Sequence, residues 1–122
     1  MNTNKPILSL SLGLPDQKKL YQLVALHGDM DQAGMLLVKD QLEKLVNDFK
    51  YRYFVLDFSD LNYIISESIG FLMALNAKLA EEKRTLVVVS AKAHVKDVLM
   101  AVGILSVFEY HENFEDFLNK LV

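Results

Sequence analysis

Cysteine is absent from this chain, and that absence removes several chemistries together. No disulfide scaffold, thiolate zinc site, iron–sulfur cluster or cysteine nucleophile can be built. An excess of basic charge is missing too: 13 lysines and arginines stand against 16 acidic residues, for a net charge of −3. Binding nucleic acid needs a clustered basic face. The nearest approach, Lys83-Arg84 with Lys92 and Lys96, reads as an ordinary solvated surface. Long apolar runs are also lacking. The longest, Ile69 to Leu75, falls far short of the roughly 20 residues that cross a bilayer. The opening Met1-Asn2-Thr3-Asn4-Lys5-Pro6 lacks the charged-then-apolar pattern of a secretory signal. The expectation is a cytoplasmic protein with no nucleic-acid or membrane partner.

Catalytic and cofactor motifs are scarce. The glycines at 13, 28, 34, 70 and 103 form neither a GxGxxG fingerprint nor a phosphate-binding loop. His27, His94 and His111 are far apart and lack i,i+4 partners, so each reads as a surface or loop residue rather than a metal ligand. No cofactor, no metal and no enzymatic activity are expected. A phosphotransfer receiver fits the size, with Asp57 near the end of a central strand and Ser90 after the next one. A receiver, however, holds Mg²⁺ with several oxygen ligands. Ser11-Leu12-Gly13-Leu14 offers no acidic pair for that purpose. Asp57 is read instead as a structural residue.

What is present is enough apolar material for one packed unit. With 122 residues, 52% of them hydrophobic, the chain is expected to form a single domain over residues 1–122 that buries roughly two thirds of its unfolded surface. Residues 7–12 alternate with period two after Pro6, and Gly13-Leu14-Pro15-Asp16 supplies a turn. Residues 20–26 read as the second strand of an opening hairpin. His27 to Asp31 reads as a loop, with Asp31 as a helix N-cap. Met35, Val38, Leu42, Leu45, Val46 and Phe49 then make one apolar helical stripe. Residues 51–58 form a strand and 59–65 a connector. A second helix begins at Ser66 or Ser68 and runs to Lys83. Residues 85–89 read as a strand covered on both faces, and a helix follows from Ala93 to Val102. Gly103 suits a left-handed helix terminus. Residues 107–110 form a last strand, and Asn113 caps a final helix. The order β-β-α-β-α-β-α-β-α implies an α/β fold with a mixed, mostly parallel sheet packed by helices.

The stretch Phe54 to Gly70, taken with Leu26-His27-Gly28-Asp29-Met30-Asp31, resembles the STAS domain of bacterial anti-sigma factor antagonists. The shared features are an apolar strand, a Gly-acidic-apolar-Asp loop, a long helix and a second apolar strand leading to a helix-opening turn. The Gly103-Ile104-Leu105 break followed by Phe108 extends the likeness over nearly the whole chain. The resemblance implies a STAS-type fold and a non-catalytic protein-interaction module of bacterial signalling and transcription regulation. It implies a partner that is a serine kinase and anti-sigma factor, released when the second hydroxyl of an Asp-Ser-Ser/Thr-Gly turn is phosphorylated. Here Ile65 stands at the Asp, Ser66 at the first hydroxyl, Glu67 at the phosphoacceptor and Ser68 at the Gly.

Two readings of Glu67 follow from that alignment. It mimics phosphoserine, with a charge of about −1 against roughly −1.5 to −2, or it is an ordinary first-turn acid in a domain whose switch is lost. Phosphorylation of Ser66 or Ser68 in a shifted register is a third possibility. The implied partner surface comprises Asp29, Met30, Asp31, Ser66, Glu67, Ser68 and Phe71. A nucleotide or lipid sensor, and a self-associating component such as a homodimer, are the alternatives to the interaction module.

Overall fold

The computed structural model describes residues 8–14, 16–18, 20–48 and 50–121. Ile7, Pro15 and Phe49, assigned above to the first strand, its turn and the first helical stripe, lie outside these residues, as do residues 1–6. Strand β1 (Ser9–Leu12) and strand β2 (Tyr21–Met30) form the opening antiparallel pair. Helix α1 (Gln32–Asp48), strand β3 (Tyr53–Ile64), helix α2 (Ser66–Glu81) and strand β4 (Thr85–Val89) follow. Helix α3 (Ala93–Ala101), a 3₁₀ turn (Ile104–Ser106), strand β5 (Glu109–His111) and helix α4 (Phe114–Lys120) complete the order.

The five strands lie side by side in chain order, β1-β2-β3-β4-β5, antiparallel only between β1 and β2. Each parallel step needs a crossover of one hand. Steps that all move in the same direction therefore stack α1, α2 and α3 on one face. The main core has that composition: Val24, Leu26, Phe54, Leu56, Leu86 and Val88 of the sheet meet Leu42, Leu72 and Leu99 of the three helices. The alternate residues Val55, Val87 and Val89 face the other way and are covered by Phe117 of α4. Phe114 stacks on it, and Tyr21 packs edge-on against both rings. β4 is thus buried on both faces, as its unbroken apolar run requires. The short α4 covers only part of the second face.

Two stretches expected to be irregular are strand. Residues 27–30 continue β2, and residues 59–64 continue β3. Their polar and glycine content suggested loop, but the two extensions pair with each other: His27 with Asp60, Gly28 with Leu61, Asp29 with Tyr63 and Met30 with Ile64. The pairing skips register twice. Such bulges admit residues that a regular ladder would not, and Gly28 supplies a φ of 113° that other residues rarely adopt. The last strand is also displaced. Residues 104–106 wind into the 3₁₀ turn, and β5 begins at Glu109 rather than Val107. Gly103 has the expected left-handed φ of 73°, and Asn113 caps α4 by accepting the Asp116 N–H at 2.8 Å.

Candidate functional site

The carboxyl ends of β2 and β3 lie next to each other, so the helices that follow them also start together. The start of α1 is fixed by Asp31, whose Oδ1 accepts the Gly34 N–H at 2.8 Å. That is the expected N-cap. Gly34 itself is a requirement that residue patterning did not reveal. A Cβ there would lie 2.1 Å from the Asp29 carbonyl oxygen and 3.0 Å from the Leu8 side chain. Only glycine lets the helix press this closely onto the end of β2.

The start of α2 is held differently. Its N-cap position is Ile65, which has no capping side chain. The anchor comes from inside the first turn: Ser68 is fully buried, and its hydroxyl donates to the Met30 carbonyl at 2.7 Å. The Ile65 N–H reaches the same carbonyl at 3.4 Å. One carbonyl at the end of β2 thereby receives both the entry and the first turn of α2. The hydroxyl offsets the desolvation of a buried carbonyl.

Counting from Ile65, Glu67 is the second residue of α2 and points to solvent. A carboxylate in this turn interacts favourably with the helix dipole and with amides that no side chain caps. Ser66 is exposed beside it. The rest of the apolar run divides cleanly. Ile69, Leu72 and Leu75 face the core, Phe71 packs half-buried against it, and Gly70, Met73 and Ala74 are exposed. A Cβ on Gly70 would meet nothing within 4 Å. The exposed face of α2 is therefore low and nearly bare, with Glu67 at its amino end.

The third side of this end is closed by α3. Lys92 Nζ donates to Asn62 Oδ1 at 2.5 Å, and His94 Nε2 donates to the Asn62 carbonyl at 2.6 Å. Tyr63, about half exposed, projects next to its strand partner Asp29. These contacts join residues some 30 positions apart, and no local signal in the sequence indicated them.

The expected surface residues thus fall into two groups. Asp29, Asp31, Ser66, Glu67 and Phe71 are at least partly exposed at one end of the molecule. Met30 and Ser68 are not: both are 0% exposed. The Met30 side chain belongs to the core because β2 continues through it as strand. The Ser68 hydroxyl is buried and donates to the buried Met30 carbonyl.

Among the described residues, no group of three or more His, Cys, Asp or Glu could hold a metal ion. None of the described helices is long and apolar enough to cross a membrane. Two open clefts among the described residues are lined by Lys50, Arg52, Lys83 and Arg84 and by Leu10, Leu12 and Leu45 between β1 and α1.

Comparison with solved structures places this arrangement among known folds. An anti-sigma factor antagonist from Mycobacterium paratuberculosis superposes with a TM-score of 0.77 at 20% identity, over 92% of this chain and 93% of that one. The Bacillus cell fate determinant SpoIIAA in its phosphorylated form gives a TM-score of 0.67 at 10% identity, over 93% of this chain and all of that one. At such identities the likeness is one of fold. No curated protein matches the sequence. The family model described as "Mlab, STAS domain" matches residues 16–107, and the chain belongs to the STAS domain family.

Proposed function

We propose that this chain is an interaction module of bacterial signalling, of the anti-sigma factor antagonist kind, that binds a serine-kinase-type anti-sigma partner through the start of α2, a surface that works by contact and not by catalysis. The partner surface consists of Ser66, Glu67, the bare face at Gly70 and Met73, the edge of Phe71, and the flanking Asp29 and Asp31. The observation that carries this reading is the solvent-facing carboxylate of Glu67 at the position aligned with the family's phosphoacceptor, on a helix start braced from below by Ser68. A first turn held so firmly presents its outward groups at low entropic cost to a partner.

The same feature removes the usual switch. A carboxylate cannot accept a phosphoryl group as a serine hydroxyl does, so the charge at residue 67 does not respond to a kinase. Of the two roles for Glu67, a first-turn acid in a module without a phosphorylation switch agrees better with its setting. The uncapped amides of α2 account for the carboxylate without any reference to phosphate.

The experiment is a binding and phosphorylation assay with the serine-kinase partner recovered from the native cell. The native chain should bind and take no phosphate in the presence of ATP. Glu67→Ser should gain phosphate at residue 67, and Glu67→Lys should weaken binding at least tenfold by reversing charge at the contact. Unaltered binding by Glu67→Lys would remove α2 from the interface.

A further inference from the structure

The half of the sheet that α4 leaves open carries a chemical arrangement unrelated to the α2 surface. Ser11 of β1, His27 of β2 and Asp60 of β3 form a line of contacts across three adjacent strands, with Asp60 directly opposite His27 and Ser11, opposite Ala25, reaching it diagonally. Ser11 Oγ is 2.8 Å from His27 Nε2, and His27 Nδ1 is 2.9 Å from Asp60 Oδ2. The chain builds this line with a bulge. Between Ala25 and His27, β2 advances two residues while β3 advances three, from Asp57 to Asp60. In a regular strand Asp60 would share the core-facing side with Phe58, because side chains alternate. The extra residue turns it outward beside His27. The Asp57 carboxylate stabilises the bulge by accepting the Ser59 N–H at 2.9 Å.

The proton positions follow from the partners. A carboxylate only accepts, so Nδ1 carries the proton, and in the neutral ring Nε2 must accept the hydroxyl proton of Ser11. This is the order of roles that activates a serine: nucleophile, base, and a carboxylate that orients the base. Gly13 N–H bonds the Leu23 carbonyl, so by alternation the amides of Leu10 and Leu12 turn away from β2 towards the edge that no described strand pairs with. The amide that follows the serine is therefore not used in the β1–β2 ladder and can donate to an oxyanion developing beside Ser11.

We propose that Ser11, His27 and Asp60 form a nucleophilic site that attacks small carboxylic esters, with Ser11 as nucleophile, His27 as base and Asp60 as the positioning residue. Ser11 Oγ forms a bond to the carbonyl carbon while its proton passes to His27 Nε2. The ester C–O bond breaks, and the leaving alkoxide takes that proton to depart as the alcohol. Water then hydrolyses the acyl-serine with His27 again as base, so that ester and water give acid and alcohol.

The test uses the full native chain with a fluorophosphonate probe. Serine oxygen forms the P–O bond, P–F breaks, fluoride leaves, and the proton goes to His27. Peptide mapping compares Ser11 with the exposed Ser59, Ser66 and Ser106 in the same sample. The expected result is labelling of Ser11 about a hundredfold faster than of those serines, together with release of nitrophenol from p-nitrophenyl acetate. His27→Ala should abolish the advantage. Asp60→Asn should reduce it and Asp60→Glu restore part of it, with unchanged circular dichroism. Labelling of Ser11 no faster than of the three reference serines overturns the proposal, and that comparison needs no variant to fold. Because it does not involve α2, its failure would leave the partner-binding reading untouched.

Discussion

Three residues at the α1 and α2 starts separate what the fold needs from what a surface needs. Ser68 serves the fold. Replacing it with Ala leaves the Met30 carbonyl buried without its hydroxyl donor, at a cost of about 1–3 kcal/mol, visible as a lower urea midpoint with an unchanged slope. Gly34 serves the fold more stringently, since the nearest obstacle to a Cβ is backbone. Gly34→Ala should destabilise by about 1–3 kcal/mol as α1 is pushed off β2, and the same urea titration checks it. Gly70 behaves in the opposite sense. It lies in a helix interior with open space around it, where glycine costs roughly 0.5–1 kcal/mol relative to alanine. Gly70→Ala should therefore raise the midpoint while weakening partner binding; raised stability with unchanged binding would exclude residue 70 from the contact. Of these three, the sequence pointed only to Ser68, as a surface residue, whereas its hydroxyl is buried against the Met30 carbonyl. The burial of Ser68 depends on a carbonyl 38 residues away, and the need for Gly34 on how β2 turns into α1; local patterning encodes neither.

Elements with one dominant periodicity were legible. The strand over residues 85–89, the stripe of α1 and the cap of α4 all appear where apolar spacing and capping chemistry put them. Misreadings occur where polar residues lie in strand. The ends of β2 and β3 look like loops because Gly28, Asp29, Ser59, Asp60 and Asn62 are poor strand formers. Their mutual pairing, relieved by bulges, overrides the preference. β5 is short and half-buried, and its contact with α4 is reinforced by charge. Burial alone would raise the pKa of Glu109, but hydrogen bonds from Lys120 of α4 and from His111 outweigh it and hold the carboxyl below its ordinary value of about 4.5. A carboxyl whose folded pKa is depressed adds stability above its unfolded pKa and loses it as pH falls through the folded value. The docking of α4 on β5 should therefore weaken below about pH 4.5. Thermal unfolding followed from pH 6 to 3 should show a steeper decline for the native chain than for Glu109→Gln; parallel curves would assign no such role to this cluster.

At the scale of the whole molecule, the fold divides its surfaces. One face of the sheet is covered by three helices and the other only in part by α4, and the helix starts after β2 and β3 gather at one end. The family resemblance was legible because its pattern is an ordered set of strand ends and helix starts spanning the chain, and the family match over residues 16–107 agrees with it. The partner-facing role proposed for that end rests on Glu67, a residue that meets solvent rather than core. The most direct measurement is photocrosslinking in the native cell, with a photoreactive residue at position 67 and, as a control, at Lys39 on the outer side of α1. The account predicts an adduct from position 67 whose partner peptides, identified by mass spectrometry, belong to a serine-kinase-type protein, and none from position 39. Adducts to that protein from position 39 but not from position 67 would contradict it.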